Sequence, residues 1–375
     1  MIYLDCAATT QPYQQALAKF YNVSSLTWMN PSSRLYSTDA ANVLFDSRQT
    51  IADIVGCNPE QILFTSGSTE AANWIIRSSV GRGDHIITTL IEHPCVYNTA
   101  WDSGAYVHFV QTDSDGKVDL ISLTRLLEYC TEREGKILVA IMGANNELGT
   151  IEPVQEIGDL VHCFRRARYF CDTTQLWPHE KISTDGIDYA CMSAHKFGGL
   201  KGTGFMYCKD PASLQPLLTG GAQEFGMRAG TENVGGIAAM AEALDLTERY
   251  KADFKEAATA IRKQIVSQSE YRVNGGHDVI QNIVSLTMPD CDAQQMVAAL
   301  GMDEIYIAAG SACSTGEAEP SRILRAVGMS DEEALRTIRI SFDAKIREGD
   351  INTLFYKLKY YREVLCDNRS DQVDD

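Results

Sequence analysis

No two of the eleven cysteines stand as a CxxC pair, and their number is odd. That argues against a disulfide framework or a zinc knuckle and fits a reducing compartment. No metal-ligand set is expected from the spacing. No apolar run approaches the roughly 18 residues that span a bilayer. The start, MIYLDCAATT, lacks a basic stretch followed by an apolar one, so no secretory leader is expected. Positive charge is scarce: 33 Lys and Arg against 50 Asp and Glu leave a formal net charge of −17. Broad nucleic-acid binding by this chain alone is therefore not expected, whereas docking to a basic protein partner fits. A Walker loop, GxxxxGK[ST], is absent, as are internal repeats and long low-complexity segments. The expectation is a cytoplasmic protein with no direct contact to membrane or nucleic acid.

What the chain does contain is alternation. At 375 residues it suits two domains rather than one simple core. The runs QILFTSG (61–67), DHIITTL (84–90), YVHFVQT (106–112) and KILVAIMG (136–143) read as buried strands. Segments of helical spacing lie between them, such as 40–56 and 120–132. Strand–helix alternation predicts an α/β fold, with a mainly parallel sheet covered by helices. Ligands then bind at the loops beyond the strand C-termini. After about residue 250 the texture changes: a long amphipathic helix over 250–270, strands at 281–288 and 336–342, and a closing helix over 351–365. These predict a smaller α+β domain. The acidic end, DNRSDQVDD, has no apolar face and is expected to fray.

The unusual residues fall in the loops. In SAHKFGGLKGTG (193–204), Lys196 enters a glycine-rich turn. It reads as a surface lysine or as a Schiff-base lysine, whose amine desolvation can keep neutral. In FTSGSTEAAN (64–73), Ser66, Ser68 and Thr69 sit at a helix start. They read as an ordinary capping box or as a phosphate site built on unpaired N–H groups. Asp172, at the end of a strand in YFCDTTQLWP (169–178), reads as an N-cap or as the acid that keeps a pyridine nitrogen protonated. His93, in IEHPCVYNT (91–99), could stack on a ring and move protons. In AAGSACSTGEAEPS (308–321), Cys313 stands among small residues, either as a small filler or as a nucleophile on a permissive loop. Cys6, Cys171, Cys191 and Cys208 flank strands and read as core. His85, His108, His162, His179 and His277 fall in no motif.

Taken together, YLDCAATT (3–10), NPSS (30–33), TSGSTEAAN, EHPCVYNT, NNELGTIEP (145–153), DTTQ (172–175), SAHKFGGLKGTG, GGAQEFGMRAGTEN (220–233), GSACSTGEAEPS and IRISF (338–342) resemble the cysteine desulfurases. These are pyridoxal-phosphate enzymes of the class V aminotransferase-like group. The motifs run in the family's order from residue 3 to residue 342. The resemblance implies fold type I, with a seven-stranded-type sheet. Residues 15–250 would form the cofactor domain, and 1–14 with 251–375 the small domain carrying the Cys313 loop. It implies that Lys196 carries pyridoxal 5'-phosphate covalently and that His93 stacks on its ring. Asp172 would pair with the pyridine nitrogen and Gln175 with the phenolic oxygen. Ser68, Thr69, Ser193 and His195 would hold the phosphate, and Thr231 would reach it from the other subunit of a homodimer. Asn146 and Arg339 would hold the substrate amino acid, and a guanidinium fork suits its carboxylate. Cys313 would be the nucleophile that takes sulfur from L-cysteine and passes it on as a persulfide.

The chain departs from the family pattern at Leu35 and Thr38, where the family has His and Gly, and at Cys6 and Leu200, where it often has Asn and Pro. By the same pattern it is expected to differ from members that feed iron–sulfur scaffolds, which carry a longer tail. A specialised member is expected, delivering sulfur to an acceptor protein in iron–sulfur assembly, transfer-RNA thiolation or DNA phosphorothioation. Two alternatives stand beside it. One is a selenocysteine lyase or other class V enzyme, separated by rates on the two amino acids. The other is an inactive docking subunit, which would purify colourless.

Overall fold

The computed structural model describes residues 1–33, 38–310 and 319–370. Strand β1 (Ile2–Tyr3) opens the chain. Seven strands then build the large sheet: β2 (Ile62–Thr65), β3 (His85–Thr89), β4 (Tyr106–Val110), β5 (Ile137–Ala140), β6 (Ala167–Asp172), β7 (Tyr189–Ser193) and β8 (Gly204–Cys208). Their order is β2-β8-β7-β6-β5-β3-β4. Only β8 runs against the rest, pairing antiparallel with β2 and β7. The mainly parallel α/β sheet read from the sequence is therefore present.

Both faces of this sheet are covered, which is why its strands read as continuous apolar runs. Side chains alternate along each strand. Ile62, Phe64, Ile87, Ile137 and Val139 enter one core. Leu63, Ile86, Leu138 and Ala140 enter the other, against Trp74, Ile75 and Ile76 of the helix Ser68–Ser79.

A second sheet joins β9 (Arg272–Asn274), β10 (Ile283–Thr287), β12 (Ala308–Ala309) and β13 (Thr337–Ser341). It is antiparallel throughout, in the order β12-β13-β10-β9. The short β11 (Ile305–Tyr306) pairs parallel with β1, drawing the N-terminus to this side. Val284, Leu286, Ile338 and Ile340 pack with Leu4 and with Leu354 and Leu358 of the closing helix Glu348–Ser370. That helix continues through Asp367–Ser370, part of the tail expected to fray.

One helix joins the two sheets. Val234–Gln268 runs 35 residues, about 52 Å at 1.5 Å per residue. Ile237, Ala239, Met240 and Leu244 enter the large core, while Ala258 and Ile265 enter the small one. The sequence shows only the C-terminal part of this helix as amphipathic. Its first turns, VGGIAAMAEAL, are buried nearly all round, so no polar stripe marks them. Gly235 and Gly236 pack closely there: a Cβ would lie 2.3 Å from Ser24 Oγ or 2.4 Å from Asn233 Nδ2, and those side chains would have to move. No helix among the described residues is long and apolar enough to cross a membrane.

Candidate active site

Ten of the predicted site residues line one cavity of about 390 Å³ beyond the C-terminal ends of the parallel strands. They are Ser68, Thr69, His93, Asn146, Asp172, Gln175, Ser193, His195, Lys196 and Arg339. Thr231 is exposed and does not line it. Cys313 lies outside the described residues, as does Leu35.

The wall below β2 is an anion cradle. Gly67 caps the helix Ser68–Ser79 with φ 152° and gives it no side-chain cap. This corrects the capping-box reading: the Ser66 N–H donates to Glu70 Oε2 at 3.0 Å, and Glu70 pairs with Arg228 at 2.9 Å. No side chain from residue 67 occupies the helix N-terminus, the kind of place where an anion can bind. Three hydroxyls gather beside it. The Ser68 N–H donates to Ser193 Oγ at 2.8 Å, the Ser193 hydroxyl donates to Ser68 Oγ at 2.9 Å, and Ser68 Oγ lies 2.7 Å from Thr174 Oγ1. Close packing makes this possible. A Cβ on Gly204 would stand 2.4 Å from the Met192 carbonyl oxygen and 2.5 Å from Gly67 Cα.

Lys196 ends a short 3₁₀ turn, Ala194–Lys196, directly after β7. Its Nζ donates to the carbonyls of Ala7 at 2.7 Å and Ala8 at 2.9 Å. Burial, joined by the positive charge of Arg339, pulls its pKa from 10.5 down to about 8, against the pull of Asp172 and Asp5. The surface-lysine reading therefore fails: this amine can be neutral near physiological pH.

His93 caps the helix Pro94–Asp102, its Nδ1 accepting from the Cys95 N–H at 3.2 Å. A neutral His93 then carries its proton on Nε2. Burial holds its pKa below the usual histidine value, although Asp172 pulls the other way. The adjacent Glu92 is fully buried, and its Oε1 accepts from the Met142 N–H at 2.9 Å. It thereby ties the loop after β3 to the loop after β5. Asp172 ends β6 and accepts from the Thr174 N–H at 3.0 Å, so it closes a turn rather than capping a helix. Gln175 Nε2 donates to Ala7 O at 2.9 Å, which leaves one amide hydrogen for a ligand.

The opposite wall comes from the small sheet. On β13, Arg339 donates from Nη2 to Asp5 Oδ1 at 2.6 Å and from Nη1 to Asn146 O at 2.9 Å. Arg339 Nε and Asn146 Oδ1 are buried without a partner among the described residues. A buried polar atom left unpaired costs about 1–3 kcal/mol. Both atoms belong to residues the sequence singles out for substrate binding.

Sequence reasoning missed the N-terminal segment. Asp5 braces Arg339, and the carbonyls of Ala7 and Ala8 hold Lys196. The segment is fixed in turn by Cys6 N–H to Ser341 O at 3.0 Å and Ala7 N–H to Ser341 Oγ at 2.9 Å. The signal is the run of small residues in YLDCAATT, whose backbone carbonyls no residue type announces. Thr174 was missed in the same way inside DTTQ.

Comparisons with known proteins show the family. The family "Aminotransferase class-V" matches residues 2–354. "Cysteine desulfurase IscS" of Clostridium botulinum is 33% identical over 370 residues, covering 94% of this chain and 91% of that protein. The solved structure of a "NIFS-LIKE PROTEIN" superposes with a TM-score of 0.89 at 29% identity, covering 97% of this chain and all of that one. "SspA in complex with cysteine" gives a TM-score of 0.80 at 28% identity over 91% of this chain and 99% of that one. On the matched length, the motif order and the fold, the chain belongs to the class V aminotransferase family, among its cysteine desulfurases.

Proposed function

We propose that this protein is a pyridoxal-phosphate-dependent cysteine desulfurase that takes sulfur from L-cysteine, releases L-alanine and hands the sulfur to an acceptor protein. The observation that carries this reading is the placement of Lys196. A lysine with its pKa drawn down to about 8 lies between an uncapped helix N-terminus and an arginine with an unpaired buried Nε.

The residues fit the cofactor. Ser68, Thr69, Ser193 and His195 would hold its phosphate at the start of the helix, with Thr174 bracing Ser68. Asp172 would hold the pyridine proton, Gln175 would donate its remaining amide hydrogen to the phenolic oxygen, and His93 would lie against the ring. When bound, pyridoxal phosphate supplies an electron sink for charge that develops at the substrate Cα. Arg339 would bind the substrate carboxylate through its unpaired Nε–H, and the unpaired Asn146 Oδ1 would accept a hydrogen bond from a donor of the substrate amino acid. The neutral Lys196 amine takes the Cα proton as general base. The Cys313 thiolate attacks the substrate sulfur, the substrate C–S bond breaks, and its electron pair stays with the carbon fragment that becomes alanine. One sulfur remains on Cys313 as a persulfide. That role rests on the GSACSTG motif. In this reading residues 15–250 hold the cofactor, while 1–14 and 251–375 bring in Arg339 and Cys313. Thr231, exposed here, would serve the site of a second copy in a homodimer.

The test is one incubation with L-cysteine, followed by alanine release and by intact-mass analysis. One added sulfur, lost in Cys313→Ala while the yellow cofactor colour persists, is expected. Undiminished alanine and persulfide from Cys313→Ala would refute the nucleophile. No alanine from a coloured wild-type preparation, on cysteine or selenocysteine, would refute the reaction.

A further inference from the structure

The large sheet carries a second cluster of reactive side chains at the end of β3 opposite His93. His85 opens β3, and His108 lies on the neighbouring edge strand β4, where it pairs in register with Ile87. Side chains two apart share a face. His85 and His108 therefore point to the same side, the side on which Cys130 of the helix Leu120–Thr131 packs. The ligand atoms of His85, His108 and Cys130 all lie within 4.8 Å of one another. His85 Nδ1 and His108 Nε2 are 3.0 Å apart. His85 and Cys130 are buried, and His108 is half-buried. No motif and no step of the proposed desulfurase reaction uses any of the three.

We propose that His85, His108 and Cys130 form a site for a single thiophilic monovalent ion, copper(I). A hydrogen bond between the two rings explains their approach but leaves the Cys130 thiol idle beside them. An ion at the centre would use all three. Two imidazoles and a thiolate suit copper, and thiolate ligation favours its monovalent state. Coordination number points the same way. A structural zinc site takes four protein ligands, and the cluster supplies three among the described residues. Aromatic rings wall the site: Tyr106 stands 5.4 Å from the His85 ring and Tyr129 stands 5.7 Å from the His108 ring, centroid to centroid.

Charge selects between the ions. Burial, with Arg133 and Arg166 adding to it, holds His85 below the usual histidine pKa. Burial, His85 and Arg133 do the same to His108. Each ring turns a nitrogen toward the cluster. Arg133 and Arg166 oppose a surplus positive charge, and Asp84 beside His85 offsets them in part. Copper(I) with one thiolate is neutral, whereas zinc(II) with one thiolate leaves a charge of +1. Burial pushes the Cys130 thiol up to about 11, so it binds metal by releasing its proton to solvent. The balance is one ion bound, one proton lost and no electron transferred. A hydrogen bond between the His85 ring and the Glu134 backbone fixes the ring from behind, as outer partners do for metal-bound histidines.

The experiment loads the reduced, cofactor-containing full chain with copper(I) under anaerobic conditions. A competing copper(I) chelator then strips weak sites, and retained copper is counted per chain. Wild type and Cys163→Ser, which removes an exposed thiol, should retain the same amount. Cys130→Ser and His108→Gln should each retain one equivalent less. X-ray absorption of the retained copper should show sulfur and nitrogen neighbours in wild type and lose the difference component in the variants. Circular dichroism separates loss of ligand from loss of fold, and His85→Gln replaces any variant that does not fold. Equal copper in wild type and folded variants overturns the site. Zinc retained where copper(I) is not overturns the ion.

Discussion

The two walls of the cavity are finished to different degrees. On the large-sheet side, Ser68, Thr174 and Ser193 already bond one another, and Gly204 packs beside them without room for a Cβ. On the facing side, Arg339 Nε of the small sheet and Asn146 Oδ1 of the loop after β5 are buried without partners among the described residues. The first wall is rigid before anything binds, as suits a cofactor that stays. The second keeps its desolvated donors and acceptors for a molecule that comes and goes. Lys196 touches both, since it stands on the large sheet but is held by carbonyls of the N-terminal segment. Preorganisation and vacancy are thus assigned to different walls of the cavity.

The hardest way to break this arrangement is to remove its shared member. Lys196→Ala should abolish the yellow colour of the purified protein and lower alanine release by about 10³-fold or more, since a positioned general base contributes roughly 10²–10⁴-fold. Full colour and rate in that variant would end the assignment. Arg339→Lys attacks the second wall alone. Hydrogen bonds to charged groups contribute about 1.5–3 kcal/mol, so kcat/KM for L-cysteine should fall roughly 10- to 100-fold while colour and cofactor content stay. Loss of colour along with rate would show that the two walls are not separable.

The pH dependence tests the link between them. A lowered lysine pKa leaves more neutral amine at neutral pH, and only the neutral amine captures an aldehyde. With a pKa of about 8, roughly a tenth of Lys196 is neutral at pH 7, against well under a thousandth at the ordinary 10.5. Cofactor capture by the apoprotein, followed by absorbance, should rise about tenfold from pH 7 and level off above pH 8 to 9. A rise continuing past pH 10 would mean that burial does not depress this amine.

The first wall was the more legible in the sequence, for a physical reason. Ser68, Thr69, Asp172, Ser193 and Lys196 sit at or directly after strand ends, where a short apolar run stops and small residues begin. Local pattern reveals such positions. Asp5, Ala7 and Ala8 act across the gap between two sheets, and two of them act through backbone carbonyls, which no residue type announces. The first half of the helix Val234–Gln268 was hidden because burial on all sides erases helical periodicity. His85, His108 and Cys130 are more than twenty residues apart in sequence, so only strand register and helix packing bring them together. Cys313 and Leu35 were singled out from the sequence and lie outside the described residues.

The smallest expected effect probes how tightly the first wall is built. Ser68→Ala removes one hydroxyl from the Ser68–Thr174–Ser193 group but leaves the backbone N–H of residue 68, which donates to Ser193. A typical hydrogen bond contributes about 0.5–1.5 kcal/mol, so cofactor affinity should fall only about 2- to 10-fold, measured by dialysis against apoprotein. KM for L-cysteine at saturating cofactor should not move, because the substrate wall is intact. A KM shift comparable to that of Arg339→Lys would show that the cradle also shapes the substrate side. The division of labour between the two walls would then be wrong even if every residue assignment held.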